Sequence, residues 1–242
     1  MNKIILTLLL TTVFALSANA QNCVNSSRCD ELGYTKTTTD CAGLDTLVCP
    51  FDENKVFCVF SEKSCEVGDI LYENKKCYVK AIDGKTAIGI VFDAENRLAV
   101  ALDEAETTLK WGGTGILIGS AAQGTSGKSN TAAILTYGEA NNIEYPAAEY
   151  CNTYSTAGTK AGDWFLPSLE ELKLLADNFS GINSLLTVLG KQTIGDEYYW
   201  SSSEYHNINV NTNFAQKLVP SSGRTDSSSK NNSHRVRPVL AF

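Results

Sequence analysis

The stretch LPSLEELKLLADNF, residues 166–179, carries the clearest secondary-structure signal in this chain of 242 residues. Ser168 and Glu171 have the spacing of a capping box, in which each side chain accepts a hydrogen bond from the other residue's backbone N–H at a helix start. Apolar residues follow at helical spacing, at Leu169, Leu172, Leu175 or Ala176, and Phe179. The stretch therefore predicts a helix that Ser168 caps and that packs one face on a core.

A second helix is predicted just upstream, in YPAAEYCNTY at residues 145–154. Pro146 suits a first helical turn, because its missing N–H has no partner there in any case. Before it, KWGGTGILIGSAAQGTSGKSN at residues 110–130 is rich in glycine and serine and indicates mostly loop.

Short β-rich segments lie on either side of these helices. They are CYVKAID (77–83), TAIGIVFD (86–93), RLAVALDE (97–104), YYWSS (198–202) and RVRPVLAF (235–242). The second and third are separated by AEN (94–96), a plausible hairpin turn. Because strands flank the helices instead of alternating with them, the sequence predicts an α+β fold.

The first twenty residues, MNKIILTLLLTTVFALSANA, are typical of a secretory leader. Lys3 precedes an apolar run too short to span a bilayer, and Ala18-Asn19-Ala20 provides a cleavage site. The mature chain, 21–242, is expected to be exported: secreted, periplasmic or at the cell surface. Losing Lys3 leaves 19 basic and 27 acidic residues, a formal charge of 19 − 27 = −8, which disfavours nucleic acid as a partner.

Six of the eight cysteines crowd the segment 21–65, which predicts a small disulfide-rich module ahead of the larger domain, 66–242. The predicted disulfide cysteines are Cys23, Cys29, Cys41, Cys49, Cys58, Cys65, Cys77 and Cys151. We expect three bridges within 23–65 and a fourth between Cys77 and Cys151. Irregular spacing and only two histidines argue against zinc, so no metal site and no cofactor are predicted.

Several motifs resemble catalytic or metal sites, but the sequence favours simpler explanations. GTSGKS (124–129) lacks the first glycine of a phosphate-binding loop, since that position is Ala122, and indicates a surface loop. Cys151 could pair with His206 or His234 as a nucleophile, but nothing orients such a base, and a bridged cysteine is expected. The acidic run Asp103, Glu104 and Glu106 is expected to be a solvated strand end. Core packing is favoured over a sugar-stacking platform for four aromatic residues, Trp164, Phe165, Tyr199 and Trp200.

Three ordered motifs resemble a known family. Trp164 with Leu166-Pro167, then YWSSS (199–203), then VRPV (236–239) are similar to the Lcl-type C-terminal domain and the related Fibrobacter succinogenes major-paralogue domains. The resemblance covers about residues 66–242 and implies a C-type-lectin-like fold, shared with formylglycine-generating enzymes. The lectin calcium motifs and the reactive cysteine pair of those enzymes have no counterpart here, so the resemblance implies a scaffold for binding or adhesion.

The segment EYHNINVNTNF (204–214) places asparagine at every second position, an unusual composition for a strand. Some members of this fold class are targets of diversity-generating retroelements, which randomise adenines near the end of a gene. Substitution at the two adenines of the AAC asparagine codon yields residues such as His, Ile, Val, Thr, Ser and Asp. The resemblance thus implies an exposed binding face over 204–234, a candidate for diversification, with its neighbouring motifs as rigid supports. The predicted ligand-binding residues are His206, Asn207, Ile208, Asn209, Val210, Asn211, Thr212, Asn231, Asn232 and His234.

Taken together, these features predict an exported, bacterial, non-enzymatic binding or adhesion protein whose ligand is a protein or a glycan. Two alternatives remain open at this point. One is an enzyme of the formylglycine-generating type, which would need a free and reactive Cys151. The other is a structural cell-surface component without a specific ligand.

Overall fold

A computed structural model describes residues 64–82, 84–205 and 212–242, together with two short strands nearer the N-terminus. Those strands, β1 (Cys23–Asn25) and β2 (Lys55–Phe57), form an antiparallel pair. The chain divides into two compact units, Met1–Ser64 and Cys65–Phe242. The predicted leader and most of the cysteine-rich module lie outside the described residues.

The second unit is built on a six-stranded sheet and a three-stranded sheet. The strands are β3 (Ile70–Tyr72), β4 (Cys77–Tyr78), β5 (Ala87–Asp93), β6 (Leu98–Ala101), β7 (Leu109–Lys110), β8 (Trp164–Phe165), β9 (Tyr199–Glu204), β10 (Phe214–Val219), β11 (Arg224–Ser229), β12 (Ser233–His234) and β13 (Val239–Ala241). The large sheet has the order β4-β3-β5-β6-β13-β8 and the smaller one β11-β10-β9, while β12 pairs with β7. All of these pairings are antiparallel, and β5 with β6 forms the predicted hairpin.

Four α-helices lie among the described residues: α1 (Gly127–Asn141), α2 (Pro146–Thr153), α3 (Leu169–Asp177) and α4 (Phe179–Val188). A short 3-10 helix, Gly119–Ala122, precedes α1. Antiparallel sheets with helices grouped between them confirm an α+β architecture. In the described part of the chain, no helix combines the length and the apolar character needed to cross a membrane.

One carboxylate joins the N-termini of two helices. The predicted capping box of α3 is present: Ser168 N donates to Glu171 Oε2 at 2.8 Å, and Glu171 N donates to Ser168 Oγ at 3.1 Å. The other Glu171 oxygen accepts from Gly127 N at the start of α1, at 3.0 Å. Burial raises the pKa of Glu171, while these backbone donors oppose that shift. A side chain at position 127 would collide with Glu171 Oε2 and lie 2.6 Å from Leu166 O, so this approach requires glycine.

The sequence prediction was wrong about α1 and α4. The phosphate-loop-like GTSGKS is no free surface loop, since Ser126 caps α1 and the helix then runs to Asn141. Its buried positions are mostly small or polar and gave no apolar stripe in the sequence: Gly127, Asn130, Thr131, Ile134 and Gly138. Helix α4 follows α3 after the single residue Asn178, where only the end of one helix was predicted.

The six-stranded sheet is covered on both faces. Along β6, side chains alternate between two clusters: Leu98 and Val100 pack with α3 and α4, while Ala99 and Ala101 pack with Trp164 on the opposite face. The four aromatic residues of the family-like motifs, Trp164, Phe165, Tyr199 and Trp200, are at most 3 % exposed. Core packing is thereby confirmed for them, and a sugar-stacking role is excluded.

The acidic run after β6 is only partly solvated. Asp103 and Glu106 are exposed, but Glu104 is buried. Its carboxylate accepts from Tyr199 Oη at 2.8 Å and from Arg237 Nε at 3.2 Å. The expectation of a solvated strand end was therefore wrong for Glu104, which ties the terminal VRPV motif to the sheet.

The predicted Cys77–Cys151 bridge was also wrong. Cys77 is bonded to Cys65, with a Cα–Cα distance of 5.3 Å, and both pack in the cluster around Leu71 and Trp164. Cys151 lies in a different cluster with Trp200, fully buried and free. Since Cys65 pairs outside 23–65, three bridges within that segment are excluded; the pairing of the five earlier cysteines lies outside the described residues.

This arrangement predicts that Cys151 resists alkylation in the folded protein. Burial keeps the reagent away from the sulfur. It also raises the pKa of the thiol well above the usual value, so little of the reactive thiolate forms. Iodoacetamide should leave the peptide that contains Cys151 unmodified in the native mature protein and modify it fully in urea, as read by mass spectrometry. Rapid native alkylation, or recovery of Cys151 in a disulfide-linked peptide, would contradict the structure.

Candidate ligand-binding face

A buried ion pair closes the end of the three-stranded sheet. Glu204, the last residue of β9, pairs with Lys230 just after β11, and both side chains are completely buried. The Glu204 carboxylate also accepts from the backbone N–H groups of Ile118 and Gly119, both at 3.0 Å from Oε2. A buried charge is tolerated only when it is paired and hydrogen-bonded, and Glu204 satisfies both conditions.

Lys230 is held from two further sides. Its Nζ donates to Ile116 O at 2.6 Å and lies 4.7 Å from the centroid of the Trp111 ring. Burial lowers the pKa of Lys230, and its bond to Glu204 acts in the opposite direction. The pair therefore locks three segments together: the end of β9, the loop 116–119 and the turn after β11.

Backbone bonds fix the two ends of the asparagine-rich segment. Tyr205 N donates to Phe214 O at 3.0 Å, and Lys230 N donates to Asn213 O at 2.8 Å. The segment between them thus starts and finishes on the edge that the ion pair holds. Of the predicted binding residues, His206, Asn207, Ile208, Asn209, Val210 and Asn211 lie outside the described residues.

The other predicted residues lie at the same end of the sheet. Thr212 is half-buried, whereas Asn231 and Asn232 are exposed in the turn after β11. Asn232 Nδ2 donates to Ser228 Oγ at 3.0 Å, and His234 Nε2 lies 3.0 Å from the same hydroxyl. The structure therefore brings Asn232 and His234 together on one serine, although they lie in different elements.

His234 packs against two aromatic side chains: Trp200 in β9 and Tyr198, the residue just before that strand. Its ring centroid lies 4.5 Å from that of Trp200 and 5.9 Å from that of Tyr198. Burial, and secondarily the charge of Lys217, lower the pKa of His234 to about 4. The imidazole is thus neutral at neutral pH and cannot serve as a cationic contact there.

Asp226, a candidate variable residue, lies beside three residues that the sequence analysis did not single out: Tyr198, Lys217 and Arg224. Lys217 lies opposite Asp226 in the β10–β11 register and opposite Trp200 in the β10–β9 register. Its Nζ is 3.7 Å from the Tyr198 ring centroid, and the Arg224 guanidinium carbon is 5.0 Å from the same centroid. Arg224 Nη2 also donates to Tyr198 Oη, which donates to Asp226 Oδ2 at 3.4 Å. We call Tyr198, Lys217, Arg224, Asp226 and His234 the Tyr198 patch.

The described residues offer little for catalysis or metal binding. They contain no group of three or more His, Cys, Asp or Glu side chains arranged to hold a metal ion. Cys151 is free, as a nucleophile would be, but it is fully buried, and burial raises its pKa. The face instead offers hydrogen-bonding side chains and two cations around one aromatic ring.

Comparison with known proteins bears on the fold. No family model matches the chain, and a search of curated proteins likewise finds no match. A fimbrial protein from Bacteroides ovatus, with a crystal structure at 1.85 Å, is similar in structure, with a TM-score of 0.57 and 16 % sequence identity. The match covers 74 % of this chain and 49 % of that one, so this chain spans about half the length of the fimbrial protein. At this identity the likeness shows a shared fold alone.

The buried pair predicts a large stability loss when one partner is removed. Lys230→Met leaves the Glu204 carboxylate buried without its counter-charge and is expected to lower the free energy of unfolding by about 3–5 kcal/mol. Urea unfolding of the mature protein, followed by tryptophan fluorescence, measures this. The matched control is Lys191→Met, which removes one partner of the Lys191–Asp103 pair at the surface and should cost no more than about 1 kcal/mol.

A second variant separates charge from packing. Glu204→Gln combined with Lys230→Met should be less destabilising than the sum of the two single substitutions, because no uncompensated charge remains buried. Equal losses for Lys230→Met and Lys191→Met would contradict a structural role for the buried pair.

Proposed function

We propose that this protein is an exported binding protein of the adhesin type, which engages a protein or glycan through the face formed by residues 204–234. Its mature form would act outside the cytoplasm, secreted, periplasmic or attached to the cell surface. No catalytic step is part of the proposal.

The observation that carries this proposal is the buried Glu204–Lys230 pair. Together with the flanking backbone bonds, it fixes the two ends of the asparagine-rich segment and the base of an exposed turn. Asn231 and Asn232 are exposed beside Lys230, which is itself completely buried. A rigid base with adaptable short polar side chains is the arrangement by which antibody loops bind varied surfaces.

Two similarities support a place in surface attachment. The WxLP, YWSSS and VRPV motifs resemble the Lcl-type domains, which implies a C-type-lectin-like scaffold for this chain. A solved structure with a similar fold is described as a fimbrial protein, and that description belongs to the Bacteroides ovatus protein. We extend it to this chain only as support for a surface role, since a fold hosts many functions.

An enzyme of the formylglycine-generating type is a weaker candidate. Such chemistry needs a reactive thiol, and Cys151 is sealed in the core with a raised pKa. A structural surface component without a ligand remains the second candidate, and the binding experiment below separates it from an adhesin.

We further propose that the face is diversified by a retroelement. The candidate variable residues form two groups, 206–212 and 226–234, and Lys230 is the one residue of the second group that adenine substitution in AAC does not produce. Lys230 is also completely buried in the ion pair, whereas Asn231, Asn232 and Ser233 around it are exposed. Ser228 is an exception to this division between a buried constant position and exposed variable ones. It is a candidate variable residue, yet it is buried, and its hydroxyl bonds to both Asn232 and His234.

Replacing residues 206–211 by Gly-Ser-Gly-Ser-Gly-Ser should abolish binding while the fold is kept. The replacement removes the presented side chains and leaves the Glu204–Lys230 pair and the flanking backbone bonds in place. Labelled mature protein, 21–242, would be applied to glycan and surface-protein arrays. We expect at least a tenfold loss of every specific signal, with an unchanged urea midpoint.

A matched pair of variants localises the effect. Asn231→Ala with Asn232→Ala alters the exposed turn after β11, whereas Ser180→Ala with Ser184→Ala alters exposed serines of α4, outside residues 204–234. Only the first pair should weaken binding. Binding that survives the replacement of 206–211 would refute the proposed face, and an unmodified protein without specific signals would favour the structural component.

Diversification predicts a pattern in natural populations. Deep sequencing of the 3′ end of the gene should find substitutions at adenine-derived codons within 206–212, 226–229 and 231–234, with a near-identical template repeat nearby. The codons for Glu204 and Lys230 should be constant. Codons for the candidate positions that vary no more than the rest of the gene would exclude this part of the proposal.

A further inference from the structure

The Lys217 residue is mostly buried, and its ammonium group has no hydrogen-bond acceptor among the described residues. The residue is 7 % exposed, and its Nζ rests 3.7 Å from the centroid of the Tyr198 ring. Within the described part of the chain, no hydrogen bond or ion pair is made by this nitrogen. An ammonium carries three hydrogen-bond donors, and those of Lys217 have no acceptor among the described residues, so they are available to a ligand.

The nearest acid does not supply the missing acceptor. Asp226 lies directly across the β10–β11 ladder from Lys217, yet no ion pair joins them within 4.0 Å. Its oxygens are engaged elsewhere: Oδ2 accepts from Tyr198 Oη at 3.4 Å and Oδ1 from Ser227 N at 2.8 Å. Burial lowers the pKa of Lys217, and Asp226 offsets this only in part.

The Tyr198 patch therefore presents more positive charge than it neutralises. Lys217 and Arg224 both approach the Tyr198 ring, Asp226 contributes one negative charge, and His234 is neutral at neutral pH because its pKa is about 4. The sum is one excess positive charge in a chain whose formal charge is −7. A group with a single negative charge matches this excess.

We propose that the Tyr198 patch is a subsite for a carboxylate of the bound ligand, with Lys217 as its buried anchor and the exposed Arg224 as a second donor. The inference rests on the proposed binding function and names the chemistry of part of the same face, since His234 belongs to both. A carboxylate offers two coplanar acceptors that suit an ammonium and a guanidinium fork together. It is also a more basic acceptor than a sulfate ester.

The test uses small acids whose uncharged partners have nearly the same shape. D-galacturonate is compared with D-galactose. The α-amide of N-acetyl-L-glutamate, which keeps its side-chain carboxylate, is compared with N-acetyl-L-glutaminamide. Methyl sulfate serves as a second anion, and all measurements are made at constant ionic strength. Backbone amide NMR of the mature protein reports binding. We expect saturable shifts of residues in β10 and β11 around Lys217 and Arg224 with one or both acids, and none with either uncharged partner. The acid that binds more tightly identifies a sugar or a peptide source.

Lys217→Met keeps the apolar stem over Tyr198 and removes the charge. It should weaken the binding of the carboxylate at least tenfold and leave the urea midpoint unchanged or higher, because an unpartnered charge is removed. A lysine with only a structural role would lower that midpoint instead. The matched control is Lys173→Met, which removes an exposed lysine paired with Glu170 on α3 and should leave the affinity unchanged.

Three results would overturn the subsite: no saturable shifts with either acid, equal shifts with methyl sulfate, or an affinity that Lys217→Met does not change. The array experiment, run in parallel with Lys217→Met, keeps the two proposals apart. If array binding survives Lys217→Met but is lost on replacing 206–211, the subsite fails and the binding face stands. If it survives both changes, the binding face fails as well.

Discussion

The contact between Glu204 and Lys230 governs the C-terminal part of this protein. Two opposite charges, both fully buried, are retained because backbone donors from Ile118 and Gly119 and an acceptor from Ile116 complete their coordination. Such a pair adds little net stability, but it favours one packing arrangement of these segments, because any alternative packing leaves a buried charge unpaired. It fixes the width between β9 and the end of β11, and so the separation of the polar elements presented beyond it. The exposed turn with Asn231 and Asn232 lies beyond this base.

Local signals predicted the parts of the fold in which local interactions dominate. The capping box at Ser168 and Glu171, the helix starting at Pro146 and the hairpin of β5 with β6 all depend on residues close in sequence. Helix α1 was not predicted because its buried positions are mostly small or polar and form no apolar stripe. At Gly127 the lack of a side chain allows close approach to Glu171 and Leu166. The Cys65–Cys77 bridge was missed for a related reason, since the change in composition near residue 65 placed Cys65 in the wrong unit.

In the candidate site, too, the sequence analysis singled out residues with a local compositional signal and missed those that only the fold brings together. Asn231, Asn232 and His234 were predicted from composition; the structure shows Asn231 and Asn232 exposed and His234 half-buried, and their role in ligand binding stays a prediction. The Tyr198 patch was not found, because Tyr198, Lys217 and Arg224 are brought together only by the register of three strands. A shift of one residue in either pairing would move Lys217 to the opposite face, and no short-range pattern specifies that register. Glu204 and Lys230 were likewise invisible as a pair, since 26 residues separate them.

The buried thiol of Cys151 bears on how the chain acquires its disulfides. Seven other cysteines share the chain, and those before residue 66 emerge from the ribosome ahead of the residues that enclose Cys151. Until the core cluster that contains Cys151 has formed, this sulfur can take part in thiol–disulfide exchange. Closure of that core withdraws the Cys151 thiol from thiol–disulfide exchange. The C-terminal strands thus complete the surface and also end the period in which the cysteines can be mispaired through Cys151.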